Sequence, residues 1–365
     1  MIGSGHSRLL KILHIDPERH WGGGEAQVLG LLAYLAERGH GIDLLTHPRG
    51  RLFEKAQTLR IRTLPLVVWN DLDLRPVLAL RRLIHRERYD VVHLHTKRAH
   101  ALSLWLPRGA GSPKYVVTRR MDYPESAGWY THHLYGRRVD GVIAVSSPIL
   151  SSLAEAGVMR ERIRLIHSGV DPDKFKPSPA AGRTRHHPPV IGSMAVLEER
   201  KGHRVLLEAA RLLKAQGHRA RYFFAGEGSL RKELQTLAQR LGLADDVRFF
   251  GFVSDPAAFL SETDIFALPS LYEGLGVAAL EAMAAGKPVV VSRVGGLAEI
   301  VRDSVNGLLV TPGNSTELAA ALAQLLNDPV LACRLVSNAA ERVKSFTMSQ
   351  MAQKNEAYYY ELLGK

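Results

Sequence analysis

Two glutamates and two glycines in one short segment are the residues with the clearest chemical potential. Seven residues separate Glu273 from Glu281, and Gly274 and Gly276 follow Glu273 closely. A helix predicted over 277–285 begins there, and its free N–H groups and positive dipole end favour an anion such as a diphosphate. Carboxylates do not bind phosphate, but they accept hydrogen bonds from sugar or ribose hydroxyls. On spacing alone, an ordinary loop and core helix with two solvated glutamates stays the alternative.

The elements that must position these residues alternate between short apolar runs and segments of helical period. Strands are predicted at 10–15, 42–46, 91–94, 115–118, 142–145, 190–194, 222–225, 247–250, 265–268, 289–291 and 308–310. Helices are predicted at 25–37, 75–88, 203–216, 230–241, 277–285, 314–326 and 349–363. Strands separated by helices indicate parallel strands with crossover helices, hence doubly wound α/β sheets that bind ligands beyond the carboxyl ends of their strands.

The alternation breaks at 174–189, a stretch rich in proline and basic residues without apolar periodicity. Such a stretch is typical of a linker. We therefore predict a first Rossmann-like domain over 1–172, a linker over 173–189 and a second Rossmann-like domain over 190–345. Two such domains facing each other across a cleft would place a small-molecule site between them.

Composition limits the function classes. Among 365 residues, 48 Lys and Arg outweigh 36 Asp and Glu, which gives a net charge of +12. A basic balance attracts polyanions, although a soluble enzyme with a solvated basic surface fits equally well. The lone Cys333 excludes an intramolecular disulfide and a thiolate zinc site. No apolar run reaches the ~18 residues of a membrane span, so we expect a cytoplasmic protein, soluble or peripheral.

The segment 270–288 reads Ser-Leu-Tyr-Glu-Gly-Leu-Gly-Val-Ala-Ala-Leu-Glu-Ala-Met-Ala-Ala-Gly-Lys-Pro. It resembles the signature of glycosyltransferase family 4, the retaining, nucleotide-sugar-dependent transferases of GT-B fold. Weaker motifs resemble the same family in the same order along almost the whole chain. These are Gly22-Gly23-Gly24-Glu25, 36–40, 89–93, 144–146, 168–171, Lys201-Gly202, 225–228, 251–253 and Gly295-Gly296.

The resemblance implies a role for each matching residue. Glu281 is expected to bind the ribose hydroxyls, Glu273 to contact the donor sugar, and the amides of Gly274, Leu275 and Gly276 to hold sugar and phosphate. Lys201 is expected to bind the diphosphate, because a fixed cation stabilises the charge on the leaving group. The other implied donor-binding residues are Gly22, Gly23, Gly226, Glu227 and Val253.

Two positions depart from the family pattern. Val196 stands where the family usually has an arginine, and Arg200 beside Lys201 is the candidate replacement. An Arg200 that points to solvent is the alternative. Arg120 takes the approximate place of a family histidine; it could contact the donor sugar or an anionic acceptor, but an arginine cannot act as a base. The expected catalytic set is therefore Glu273, Lys201, Arg200 and Arg120.

The resemblance also implies a mechanism and an organisation. The acceptor hydroxyl attacks the face that the diphosphate leaves, and the protein supplies positioning and electrostatics. No cofactor or metal is expected, and Asp71 and Asp73 are interpreted as loop residues. The first domain would bind the acceptor and the second the nucleotide sugar, with a C-terminal helix over 346–365 joining the first domain.

The expected acceptor is a glycan or a lipid-linked acceptor in cell-envelope polysaccharide or lipopolysaccharide synthesis. The stretch 129–138 combines aromatic and basic residues, which suits peripheral contact with an anionic inner membrane face. A solvated helix face with buried aromatics is the alternative. His93 and His95 alternate on a strand end, so they are either cleft-lining or structural. The adjacent His132 and His133 do not share a helix face and are interpreted as non-metal residues.

Other function classes fit less well. A nucleotide-sugar epimerase of the same fold has a different carboxylate arrangement and lacks the Glu-Gly-x-Gly segment. A nucleic-acid-binding protein is suggested by charge alone, and no recognisable module accompanies it. A nicotinamide dehydrogenase would need Gly-x-Gly-x-x-Gly at the first strand turn, which is missing. The resemblance therefore implies a retaining hexosyltransferase that uses a nucleotide sugar, with the epimerase and the basic nucleic-acid-binding protein as the alternatives.

Overall fold

The structure is a computed structural model that describes residues 8–70, 73–121, 128–175 and 186–364. The chain forms two compact units. Unit 1 comprises Met1–Ser168 and Met348–Lys365, and unit 2 comprises Gly169–Thr347. The predicted linker 173–189 falls within the range of unit 2, and its residues 176–185 lie outside the described part. Within unit 2, the Val170 N–H near its start donates to the Phe346 carbonyl near its end at 2.8 Å.

Unit 1 contains a seven-stranded parallel sheet. Its strands are β1 (Lys11–Asp16), β2 (Gly41–Thr46), β3 (Arg62–Pro65), β4 (Val91–Leu94), β5 (Lys114–Arg119), β6 (Gly141–Ala144) and β7 (Ile163–Leu165). The spatial order is β3-β2-β1-β4-β5-β6-β7. Strand order reverses between β1 and β4, and the crevice beyond the carboxyl ends at such a switch point is where ligands bind.

In the described part of unit 1, helices cross over between these strands. They are α1 (Gly23–Glu37), α2 (Arg51–Thr58), α3 (Val77–Glu87), α4 (Lys97–Leu102), α5 (Trp129–Arg137) and α6 (Ser147–Glu155). The central strands β1 and β4 are almost wholly buried, as expected for a parallel sheet covered on both faces. The sequence analysis missed β3 and β7 because both are short edge strands with exposed arginines, so they lack a continuous apolar run.

Unit 2 contains a six-stranded parallel sheet. Its strands are β8 (Val190–Met194), β9 (Arg221–Ala225), β10 (Val247–Gly251), β11 (Ile265–Leu268), β12 (Val289–Ser292) and β13 (Leu308–Val310), in the order β10-β9-β8-β11-β12-β13. Its helices are α7 (His203–Ala215), α8 (Arg231–Arg240), α9 (Pro256–Ser261), α10 (Val277–Ala284), α11 (Leu297–Ile300), α12 (Ser315–Asn327) and α13 (Pro329–Val343). The predicted fold class, two doubly wound α/β domains, is confirmed.

The final helix α14 (Met348–Leu362) is part of unit 1. It packs against α1, and Tyr358 and Tyr359 join the apolar core of that unit. The carboxylate of Glu356 accepts hydrogen bonds from Arg38 Nε at 2.7 Å and from His40 Nε2 at 2.8 Å. These partners lower the pKa of Glu356 although burial opposes the shift. The helix is therefore fastened by both apolar and ionic contacts.

Within the described residues no single helix has the length and apolar character needed to cross a membrane. The neighbours α12 and α13 meet that test of length and composition only when taken together, and they are bent by 101°.

Candidate functional site

Lys201 and Glu273 form an ion pair at the carboxyl end of the unit 2 sheet. Lys201 Nζ lies 2.5 Å from Glu273 Oε2, and each side chain is only 11% exposed. The Ser270 hydroxyl donates to the same oxygen at 3.2 Å. A charge this far removed from water needs a partner. The structure thus brings together two of the four predicted catalytic residues, which are 72 positions apart in the chain.

Backbone contacts between two loops create this pairing. The N–H groups of Leu271 and Tyr272 both donate to the Arg200 carbonyl, at 2.8 and 3.2 Å. Gly202 has φ +65°, and a Cβ there would lie 1.9 Å from the Pro269 carbonyl oxygen. Only glycine fits such a close approach in the left-handed region. Gly202 therefore allows the loop of Lys201 to lie against the loop of Glu273.

Arg200 has a partner of its own. Its Nε donates to Glu198 Oε2 at 2.8 Å, and its side chain is largely shielded from water. At Val196, where the family usually has arginine, the backbone carbonyl is 3.0 Å from His203 Nε2. Burial lowers the pKa of His203 to about 4, so this imidazole is neutral and donates to that carbonyl. His203 was not identified from the sequence, because no local pattern indicates that a histidine at the start of a helix will bind the backbone of the preceding loop.

Glu281 lies in α10, and its carboxylate is half-buried. Burial raises its pKa to about 7. Within the described part of the chain no side chain or backbone group is hydrogen-bonded to that carboxylate. A half-buried carboxylate without a partner is suited to accept hydrogen bonds from a ligand. The structure leaves Glu281 free for the role that the resemblance implies.

Glycines form the loop that leads into α10 and its contact with the neighbouring loop. Gly276 has φ +93°, and a Cβ there would lie 2.3 Å from the Leu297 side chain. The Gly296 N–H donates to the Gly274 carbonyl at 2.9 Å, and Leu275 is buried. In the described residues no side chain caps α10, so its first N–H groups keep their capacity to bind an anion.

The remaining predicted residues of unit 2 lie in the loops that follow β9 and β10. Gly226 has φ +143°, its N–H donates to the Gly251 carbonyl at 2.7 Å, and a Cβ there would clash with the Ala195 carbonyl oxygen. Glu227 has an exposed side chain, while its carbonyl accepts from the Leu197 N–H at 2.9 Å. Val253 follows β10 and is half-buried.

In unit 1 the predicted glycine loop opens α1. Gly22 precedes the helix and Gly23 is its first residue. The Gly22 N–H donates to Glu25 Oε2 at 2.7 Å, so the helix's own side chain satisfies that amide. Burial raises the pKa of Glu25, and it raises that of the neighbouring Asp16 as well. Glu25 thus fixes the loop that the resemblance places beside the diphosphate.

Arg120, the fourth predicted catalytic residue, lies directly after β5 next to these carboxyl groups. Its Nη2 is 3.4 Å from His95 Nδ1, and its Nε is buried without an acceptor. Asp16, at the end of β1, is 1% exposed. Asp16 was missed from the sequence because a single aspartate before a proline is also an ordinary strand-end turn signal.

Three buried histidines meet below this site. His14 lies on β1, His93 on β4, and His95 just after β4, and their ring nitrogens lie within 4.8 Å of one another. His14 Nδ1 is 2.9 Å from His95 Nε2. His93 contacts the Tyr359 hydroxyl at 2.6 Å and the Thr118 hydroxyl at 2.7 Å. Burial lowers the pKa of all three imidazoles, so they are neutral.

These imidazoles form a hydrogen-bonded network. His14 Nε2 is the one ring nitrogen of the three residues that has no partner among the described groups. A metal ion would need lone pairs that these hydrogen bonds already occupy. His93, on β4, and His95, just after it, are thus members of one buried network, and a cleft-lining role for them stays a prediction.

Other predicted features lie apart from both sites. Trp129 is 76% exposed and stacks on His133, with ring centroids 5.3 Å apart, while Tyr135 is buried. The stretch 129–138 thus has one exposed aromatic edge and one buried edge. Asp71 lies outside the described residues. The carboxylate of Asp73 accepts from Arg75 Nε at 2.8 Å and from the Trp69 N–H at 3.0 Å, and these bonds hold its pKa well below its usual range.

Comparisons with known protein families and sequences give a consistent result. The family described as "Glycosyltransferase Family 4" matches residues 21–174, and "Glycosyl transferases group 1" matches residues 175–342. The lipopolysaccharide core biosynthesis glycosyltransferase LpsE of Rhizobium meliloti is 32% identical over 353 residues, covering 94% of this chain and 96% of that protein. The putative glycosyltransferase EpsD of Bacillus subtilis is 30% identical, covering 76% of this chain and 79% of that protein.

Solved structures show the same fold. Anabaena HepE, crystallised with UDP and glucose, superposes with a TM-score of 0.83 at 23% identity over 96% of this chain and all of that one. Sucrose-phosphate synthase from Thermosynechococcus elongatus superposes with a TM-score of 0.80 at 23% identity, over 97% of this chain and 99% of that one. At this identity the likeness concerns the fold, and it confirms the GT-B fold predicted from the sequence.

Proposed function

The chain belongs to glycosyltransferase family 4, the group 1 glycosyltransferases, and from that premise we propose that it transfers a hexose from a nucleotide sugar to a glycan or lipid-linked acceptor. The relatives named for lipopolysaccharide core biosynthesis favour an acceptor of the cell envelope. The retaining mechanism, the nucleotide-sugar donor and the independence from metal all belong to this proposal.

The observation that carries the proposal is the grouping of three features in unit 2. The uncapped start of α10 and the carboxylate of Glu281, which has no partner among the described groups, lie in the loop and helix that follow β11. The ammonium of Lys201, from the turn before α7, contacts Glu273 of the same loop. A nucleoside diphosphate needs a cation, N–H donors for its phosphates and an acceptor for its ribose hydroxyls. Neighbouring structures of this fold were solved with UDP and with UDP-glucose, which favours a uridine diphosphate donor.

The proposed reaction needs no protein nucleophile. The bond between the sugar's anomeric carbon and the diphosphate oxygen breaks, and the acceptor oxygen bonds to the same face of that carbon. The acceptor's proton passes to the departing phosphate oxygen. Lys201 and the N–H groups of α10 stabilise the charge that grows on the diphosphate, the kind of preorganised interaction that lowers a barrier most.

Glu273 has a double role in this proposal. Without substrate its carboxylate neutralises Lys201. When the diphosphate binds, the ammonium gains a second anion, and the carboxylate becomes an acceptor for the hydroxyls of the donor sugar. Because the pair is already formed, Lys201 does not have to be desolvated when substrate arrives, which lowers the reorganisation needed for catalysis.

Calorimetric titration with UDP, GDP and ADP tests the donor site directly. We expect micromolar binding of one nucleoside diphosphate by the wild-type protein and its loss in Glu281→Ala. A panel of nucleotide sugars then identifies the donor through released diphosphate. An epimerase would interconvert nucleotide sugars without releasing diphosphate. If no diphosphate binds and no sugar is turned over, the proposal is wrong.

The proposal includes peripheral contact with an anionic membrane at its cytoplasmic face. The exposed Trp129 and Tyr130 at the start of α5 and the exposed Arg137 at its end support it, because exposed aromatic and basic residues suit the interface of acidic lipids. Co-sedimentation with vesicles containing phosphatidylglycerol, compared with pure phosphatidylcholine, tests the contact. We expect binding to the acidic vesicles only, and weaker binding by Trp129→Ala than by Trp105→Ala.

A further inference from the structure

Arg120 carries more hydrogen-bond donors than the structure satisfies. A guanidinium offers N–H groups from all three nitrogens. Within the described residues its one hydrogen bond goes from Nη2 to His95 Nδ1 at 3.4 Å, a long contact. Its Nε is buried and has no acceptor. Buried donors are normally hydrogen-bonded, so the Nε of this half-buried arginine needs an explanation.

The neighbouring carboxyl groups do not supply the missing acceptors. Asp16 Oδ1 accepts from the Glu18 N–H at 3.2 Å, and Glu25 Oε2 accepts from the Gly22 N–H at 2.7 Å. Neither carboxyl group is hydrogen-bonded to the Arg120 guanidinium, although both act on it through space. Burial and mutual repulsion raise the pKa of Asp16, so the pair does not carry its full negative charge near neutral pH.

The histidine network fixes the direction of the guanidinium. Because an arginine can only donate, His95 Nδ1 must accept, and the His95 proton must lie on Nε2. That proton is donated to His14 Nδ1 at 2.9 Å. Gly24, in the first turn of α1, packs against the Arg120 side chain, since a Cβ built there would lie 3.5 Å from Arg120 Cδ. Arg120 is thereby held beside the positive end of a 15-residue helix.

We propose that Arg120 is an oxyanion receptor, and that the acceptor substrate carries a carboxylate or phosphate group that binds its guanidinium. The proposal rests on the glycosyltransferase function proposed above and assigns the acceptor's chemical class. A planar fork of N–H donors matches a carboxylate or phosphate with two parallel hydrogen bonds. The adjacent start of α1 contributes the favourable potential of a helix N-terminus. His95 is the positioning residue for this fork.

Charged and neutral sugars of matched shape provide the test. The full-length protein is saturated with UDP and titrated with glucuronate, glucose 6-phosphate and glucose. We expect one of the two charged sugars to bind at least about tenfold more tightly than glucose, as charge-assisted hydrogen bonds warrant. Preference for glucuronate identifies a carboxylate acceptor, and preference for glucose 6-phosphate identifies a phosphorylated one.

Three variants separate recognition from folding. Arg120→Gln is expected to bind the charged sugars no better than glucose. Arg120→Lys keeps the charge without the fork and is expected to retain only part of the preference. His95→Gln keeps Arg120 but removes its fixed acceptor geometry, so the preference falls while melting temperature reports any loss of fold.

The two proposals fail in distinguishable ways. If the wild-type protein does not bind UDP, the proposed donor site is wrong. If UDP binds, but glucuronate, glucose 6-phosphate and glucose bind equally, Arg120 is not an oxyanion receptor. A preference that persists in a folded Arg120→Gln protein overturns the assignment as well.

Discussion

The cations of the two candidate sites differ in their hydrogen-bond partners. In unit 2, Lys201 has a carboxylate partner at 2.5 Å, whereas in unit 1 the one hydrogen-bond partner of Arg120 among the described residues is an imidazole nitrogen at 3.4 Å. The first cation is neutralised before substrate arrives, and the second keeps unused donors. The difference indicates that Lys201 is poised to share its charge with a leaving group, while Arg120 is poised to gain a partner.

The sites also differ in how they are assembled. The unit 2 site is made by two loops that contact each other through backbone hydrogen bonds. The unit 1 site draws on β1, β4, β5, α1 and α14, so it depends on sheet order and on a helix near the end of the chain. A local site tolerates distant changes better than a site assembled from many elements.

Substitution of Lys201 is expected to have the largest effect on turnover. We expect Lys201→Ala to lower turnover by on the order of 10²–10³-fold, as removal of one preorganised transition-state interaction does. Arg200→Ala is the matched control, because Arg200 is paired with Glu198 and is expected to lose less than about tenfold. Steady-state kinetics with the identified donor measure both effects. Similar losses in the two variants would refute the separate role of Lys201.

A methyl group at Gly202 tests the backbone contact that joins the two loops of unit 2. Gly202→Ala adds a Cβ that meets the Pro269 carbonyl, whereas Gly217→Ala, also at positive φ, meets nothing within 4 Å. We expect Gly217→Ala to cost about 1 kcal/mol of unfolding free energy and Gly202→Ala about 3 kcal/mol or more. Urea denaturation gives the two values, and equal costs would show that the close approach does not matter.

Glu281 makes donor binding dependent on pH. Burial raises its pKa to about 7, and the ionised form is the better acceptor for ribose hydroxyls. Between pH 6 and 8 we expect UDP affinity of the wild-type protein to rise about tenfold relative to Glu281→Gln, with the variant correcting for the titration of UDP itself. Calorimetry at each pH measures the ratio, and a constant ratio would show that Glu281 does not contact the nucleotide.

The same group has an opposite effect on stability. An acid whose pKa is higher in the folded state loses stability as pH rises from its ordinary value towards the raised one. The wild-type free energy of unfolding is therefore expected to fall between about pH 4.5 and 7 relative to that of Glu281→Gln. Thermal melts of both proteins across this range test the sign, and a wild type that gains stability with pH would contradict the assigned burial effect.

Chelation is expected to have the smallest effect. The proposed mechanism uses Lys201 and backbone N–H groups, and the buried histidines are already hydrogen-bonded to one another and to their neighbours. Dialysis against EDTA is therefore expected to leave turnover within about twofold of the untreated enzyme. If EDTA lowers turnover and added Mg²⁺ or Mn²⁺ restores it, a metal takes part in the reaction. Lys201 is then not the main group that stabilises the leaving diphosphate.

Much of the fold and of the donor site could be predicted because the signals are local. Apolar strand runs and helix stops define the two sheets, and the segment 270–288 carries its glycines and glutamates within one loop and one helix. The edge strands β3 and β7 escaped prediction because half-exposed short strands have no distinct pattern. The sequence could also name Lys201 through its family motif, but it could not show the contact with Glu273.

The sequence by itself determined the fold class, the family and the loop chemistry of residues 270–288, because these depend on residue type and spacing within a short window. The tertiary structure alone decided that Glu281 has no hydrogen-bond partner in the described part of the chain, that Arg200 is bonded to Glu198, and that His14 contacts His95. Such contacts depend on which strands lie side by side and which groups are removed from water. Parallel strand order joins residues that are far apart in the chain, so no local pattern encodes it.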